Sequence, residues 1–134
     1  MAPLSFQRCV IAWYDPLGAD VLCGFMFASP NEQVDGQFVA NQTHVGSTRT
    51  ALATLTTGDF VVAWESGGAE IRARLFDSLG SPQTDEFSVS TLSSGHAVAP
   101  SITATPDGGF YATWMYRPHS SLWYVIKGQA WTFE

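Results

Sequence analysis

The sequence predicts an all-β chain built from three copies of one four-stranded antiparallel unit, the last copy incomplete. Three observations predict it. The segments Cys9–Trp13, Phe60–Trp64 and Phe110–Trp114 align without gaps, and their tryptophans lie 51 and 50 residues apart. Each segment is rich in β-branched and aromatic residues, too short for a helix, and bounded by turn formers. The flanking stretches repeat as well, and none of them carries a helical period.

The elements follow in order. Leu52–Asp59 and Ile102–Gly109 each read as an alternating strand closed by a Gly/Asp turn, with Ala2–Phe6 as a degraded first copy. The tryptophan segments come next and read as strands buried on both faces. A polar loop then leads to a third strand at Leu22–Phe27, Ile71–Phe76 and Ile126–Trp131. A fourth strand follows in two copies only, at Gln37–Ala40 and Glu86–Ser90, anchored by Phe38 and Phe87. The expected pattern is therefore eleven strands grouped 4-4-3 in a single all-β domain over 1–134, with repeats at approximately 2–49, 50–99 and 100–134.

Four antiparallel strands per repeat of about 50 residues is the signature of a β-propeller blade. Three blades fall short of the roughly four to eight that close a ring. Either the chain associates with copies of itself as a homo-oligomer, two chains giving six blades, or it is a segment of a longer array. The alternative is another threefold all-β fold, a β-trefoil or a β-prism. Gln129-Ala130-Trp131 resembles the Gln-x-Trp of ricin-type trefoils, but it occurs only once.

Composition limits the function. The net charge is −6 and the six cations are scattered from Arg8 to Lys127, so no basic stripe exists to displace counterions from nucleic acid. Only 13% of residues are charged, and no apolar run approaches the ~20 residues of a membrane helix, so membrane insertion is not expected. Met1–Arg8 does not read as a signal peptide. Cys9 and Cys23 flank the turn sequence Asp15-Pro16-Leu17-Gly18. With Pro16 at its centre they would face each other across two strands, as a disulfide or as two small buried thiols.

Pro100-Ser101-Ile102-Thr103, Asp107-Gly108-Gly109-Phe110, Val61–Ser66, Ile71–Asp77 and Glu86–Ser90 together resemble a repeat of large bacterial secreted proteins, often labelled haemolysin-type calcium-binding or RTX-like. The resemblance covers nearly the whole chain and implies a blade-like repeat in an extracellular, adhesive setting. It also implies calcium. The loops after the tryptophan strands keep only Asp15 and Asp20 in the first copy, against the about six to eight oxygens calcium takes. No cofactor is therefore expected.

No nucleophile elbow, phosphate loop, dinucleotide fingerprint or zinc-protease motif is present, and an enzyme is not expected. Trp13, Trp64 and Trp114 read as an aromatic layer between sheets, ahead of a sugar-stacking role. His44 and His96 fall in the linkers between repeats. Arg72 and Arg74 share a strand face near Glu65 and Glu70 and suit ion pairs. Asp107 reads as a turn former, and Asn41-Gln42-Thr43 fits a glycosylation sequon. The best candidate site is the irregular stretch of the third copy that holds Tyr116, Arg117, His119, Trp123 and Tyr124. Aromatics beside Arg and His suit ring stacking on a glycan or a protein hot spot. The expected function is a non-enzymatic, lectin-like glycan-binding module; the alternative is a structural or protein-interaction repeat unit of a secreted, adhesin-like assembly.

Overall fold

Runs of β-branched and aromatic residues cut by Gly, Asp and Pro can satisfy their backbone groups by pairing with their sequence neighbours. The chain does this throughout. A computed structural model describes residues 2–5, 8–18, 20–27, 34–43, 46, 48–67, 69–90, 95–118 and 122–132. They form β1 (Ala2–Ser5), β2 (Arg8–Asp15), β3 (Asp20–Phe27), β4 (Val34–Val39), β5 (Thr48–Thr54), β6 (Phe60–Ser66), β7 (Glu70–Phe76), β8 (Phe87–Ser88), β9 (His96–Ala104), β10 (Phe110–Arg117) and β11 (Val125–Trp131). The first sheet is ordered β1-β2-β3-β4, the second β5-β6-β7-β8 and the third β9-β10-β11, every pairing antiparallel. The architecture is all-β, and the three sheets do not close on one another.

The repeats recur in fine detail. Leu55 and Asp59 close the turn before β6 as Thr105 and Gly109 close the one before β10, with backbone bonds of 2.8 and 3.0 Å. Gly58 and Gly108 sit at φ 94° and 91° in these turns, a region that other residues rarely enter. Asp107 caps its turn by accepting from the Thr105 hydroxyl and from the Gly109 N–H at 3.3 Å. After the fourth strand, Ala40 and Val89 each donate to the first buried residue of the third strand, Val21 or Ile71, at 2.8 Å. The Val21 and Ile71 N–H groups are in turn accepted by Asn41 Oδ1 and Ser90 Oγ.

Two cores lie between the sheets. The first and second sheets enclose Val10, Val21, Cys23 and Phe25 against Phe60, Val62, Trp64 and Phe76. The second and third enclose Val61, Ala63, Ile71 and Ala73 against Phe110, Ala112 and Trp114. The middle sheet is thus covered on both faces, and all seven residues of β6 are buried. Two carboxylates join neighbouring segments. Glu65 accepts the Ala99 N–H at 2.9 Å and meets Arg49 Nε at 3.6 Å. Ala99 and Arg49 hold φ of 55° and 38°, strained for non-glycine residues, and both lie at register shifts, so Glu65 holds two bulges at once. Glu86 accepts from the N–H groups of Gln42 and Thr43 at 2.6 and 3.1 Å and from Arg72 Nε at 2.9 Å, fastening the linker between the first two sheets.

Several expectations are corrected. Cys9 pairs with Met26 and Cys23 with Ala12, because the hairpin centres between Leu17 and Gly18, not on Pro16. The two cysteines therefore point to opposite faces and are free thiols. Burial pushes the Cys23 thiol up to about 12. His96 opens strand β9 and is not in a linker; His44 lies outside the described residues. Asn41 is buried, with its amide occupied by Val21, Asp20 and the Thr43 carbonyl, so the sequon is not presented at the surface. Arg72 pairs with Glu70 and Glu86 as charges, whereas Arg74 spends its guanidinium on the Thr84 and Ala40 carbonyls. The fourth strand of the second copy shortens to Phe87–Ser88, because the Glu86 N–H turns to Gln42 Oε1 and those of Val89 and Ser90 converge on the Ile71 carbonyl.

Candidate functional site

Among the described residues, the third sheet shares a core on one face only, and strand alternation sorts its side chains. Phe110, Ala112 and Trp114 enter the core, while Tyr111, Thr113 and Met115 turn outward. Their partners on β11 are Ala130, Gly128 and Ile126, so these residues share the outer face. The Tyr111 side chain lies across Gly128: a Cβ there would come 2.6 Å from the Tyr111 oxygen, so glycine is what lets the ring lie flat over β11. Tyr111 remains 42% exposed and Ile126 72%. Just ahead of β11, Leu122 and Trp123 are exposed at 86% and 79%. Consecutive large apolar side chains in water are the informative exception on a folded surface.

Four of the five predicted site residues are described; His119 lies outside the described residues. Tyr116, on β10, packs against the core between the second and third sheets, with Lys127 Nζ 5.8 Å from its ring centre. Gly95 lies against that ring and against the Arg117 carbonyl, leaving no room for a side chain. Arg117 brings its guanidinium 5.6 Å from the ring of Tyr124, and its Nε is buried without a hydrogen-bond partner. The structure therefore brings Arg117 to Tyr124, keeps Trp123 largely exposed, and turns Tyr116 inward. The chemistry available is apolar contact, ring stacking and one cation.

The sequence reading missed the extent of the outer face, because Thr113, Gly128 and Ile126 carry no motif. It also set Glu65 beside Arg72 and Arg74 and not beside Arg49 and Ala99; its equivalents in the other copies are Tyr14 and Met115. Among the described residues, no group of three His, Cys, Asp or Glu side chains is placed to hold a metal ion. No helix of the described residues is long and apolar enough to cross a membrane. The chain matches no protein-family model and no curated protein sequence.

Proposed function

We propose that this chain is a non-enzymatic binding unit that works by protein association, the unclosed stack of blade-like sheets being completed by a partner. The observation that carries this reading is the outer face of the third sheet with the exposed run before it. Tyr111, Leu122, Trp123 and Ile126 are all large, apolar and more than 40% exposed. Their hydration favours a partner that removes them from water, at roughly 25 cal/mol per Å2 covered. The resemblance to secreted repeat proteins accords with such a role in an extracellular, adhesive assembly.

Glycan recognition is the second reading, favoured by one observation: Trp123 and Tyr124, adjacent in the chain, are 79% and 42% exposed, and the Arg117 guanidinium lies over the Tyr124 ring, aromatic surface suited to a sugar ring. Sedimentation over a dilution series, combined with a glycan array, separates the two. An associating chain whose association weakens with Ile126→Asp at unchanged melting temperature supports the first reading. A strict monomer that binds a sugar, and loses it with Trp123→Ala, replaces it with the second.

A further inference from the structure

Each sheet has two faces with different roles. One carries the tryptophan of its second strand: Trp13, Trp64 or Trp114. The opposite face carries, at its middle, a directly paired couple of small residues: Ala12 with Cys23, Ala63 with Ala73, Thr113 with Gly128. The core that buries Trp64 contains Ala12 and Cys23, and the core that buries Trp114 contains Ala63 and Ala73. Twice over, then, a small pair on one sheet shares a core with the tryptophan of the next, as close packing of a bulky ring requires. Among the described residues, one tryptophan and one small pair, Trp13 and Thr113–Gly128, belong to neither of these cores. Trp13 is half-buried, where Trp64 and Trp114 are fully covered. Thr113 and Gly128 lie on the open outer face.

The aromatic contacts are complementary as well. Between the first two sheets Phe38 meets Phe76 at 5.0 Å, and Phe76 stacks on Phe60 at 5.5 Å. Between the second and third, the equivalent Phe87 meets Trp131 at 5.2 Å, and Trp131 stacks on Phe110 at 6.2 Å. On the tryptophan face of the first sheet, the positions of Phe60 and Phe76 hold Cys9 and Met26. The third sheet, among the described residues, has no fourth strand to supply a counterpart of Phe38 or Phe87. Among the described residues, both surfaces thus lack the rings that meet in the two internal cores. Around Trp13 the face continues with Leu22 and Val39, in register across β2, β3 and β4.

We infer that the outer face of the third sheet docks on the tryptophan face of the first sheet of a second copy, with Trp13 of one copy against Thr113 and Gly128 of the other. This inference rests on the protein-association reading. The contact is heterologous, joining two different patches, and two copies that make it reciprocally close on a two-fold axis.

Paired variants test it by light scattering after size exclusion. Ile126→Asp spoils one face. Trp13→Asp spoils the other, and Val39→Asp does so from a position already 41% exposed, where folding is not at stake. Each variant alone is expected to be monomeric at concentrations where the unaltered chain associates. An equimolar mixture of Ile126→Asp with Val39→Asp or Trp13→Asp is expected to form a heterodimer through its one intact pair of faces, on the order of 100-fold weaker because a single contact replaces two. If Ile126→Asp abolishes association while both first-sheet variants associate normally, the contact joins two third sheets. The head-to-tail inference then falls and the association reading survives. A mixture that stays monomeric, or variants that associate like the unaltered chain, also overturn the inference. An unaltered chain that is monomeric throughout removes both.

Discussion

Strands β6 and β10 occupy the same place in adjacent repeats and differ in what covers them. Every residue of β6 is buried, because a sheet lies on each side. In β10 burial alternates at its start, with Phe110, Ala112 and Trp114 buried and Tyr111 exposed. The side chains facing the third sheet from β6 are Val61, Ala63 and Glu65; their equivalents on β10 are Tyr111, Thr113 and Met115. The comparison teaches that the repeat prescribes a sheet with two adhesive faces, and that burial at each position depends on whether a neighbour is present. Among the described residues, the middle sheet shares a core on each face and the third sheet on one.

The largest expected effect breaks the comparison at the tryptophans. Trp64→Ala should cost about 3–5 kcal/mol in urea unfolding, the range for emptying a fully buried aromatic site. Trp13→Ala, measured on dilute monomer, should cost less than Trp64→Ala because its ring is only partly buried. Equal losses would mean that the first and second sheets are covered alike.

A smaller effect is expected at Glu65. Glu65→Ala leaves the Ala99 N–H without its acceptor and should lower stability by about 1–3 kcal/mol. Met115→Ala, at the equivalent place on the open face, should stay below the cost of Glu65→Ala in the same denaturation series. The order of the two is the informative result.

Next comes a pH effect at Glu86. Burial raises the tendency of this carboxyl to hold a proton, but the Thr43 hydroxyl, the Gln42 and Thr43 N–H groups and Arg72 outweigh it and hold the group below its ordinary 4.5. The unfolded chain therefore binds the proton more tightly than the folded one. The stabilisation is complete above pH 4.5 and drains as pH falls through that value toward the lower native one. Glu86→Gln should flatten this part of the stability–pH curve, and an unchanged slope would remove Glu86 as its source. The smallest effects belong to the open surface: Trp123→Ala should move monomer stability by no more than ~0.5 kcal/mol. A larger loss would mean that the exposed run is packed.

Much of the fold was legible in the sequence, and for a physical reason. Strand period, aromatic anchors and Gly/Asp turns are local signals, and they predicted the 4-4-3 grouping that the sheets display. The cysteine register was not legible, because a hairpin's pairing is set by which turn residues stay unpaired. A turn shifted off Pro16 separates Cys9 and Cys23 onto opposite faces. The candidate site was legible in part. Trp123 and Tyr124 announce themselves as aromatics in an irregular stretch, but which side of β10 meets another sheet is settled by stacking, and stacking is not local. That is why Tyr116 was grouped with Trp123 and Tyr124 in one candidate site although it packs against the core. Glu65 was read only as a neighbour of Arg72 and Arg74, since its real partners, the Ala99 N–H and the Arg49 guanidinium, lie in two other strands.

The central claim, that the two end faces of the stack are halves of one interface, is tested most directly by fluorotryptophan NMR over a dilution series. The chain holds five tryptophans, each assignable by single replacement. As association is diluted away, the Trp13 resonance is predicted to move toward its solvent-exposed position, while those of Trp64 and Trp114 stay fixed in their internal cores. A Trp13 resonance that does not change across the range in which the mass changes would contradict the account.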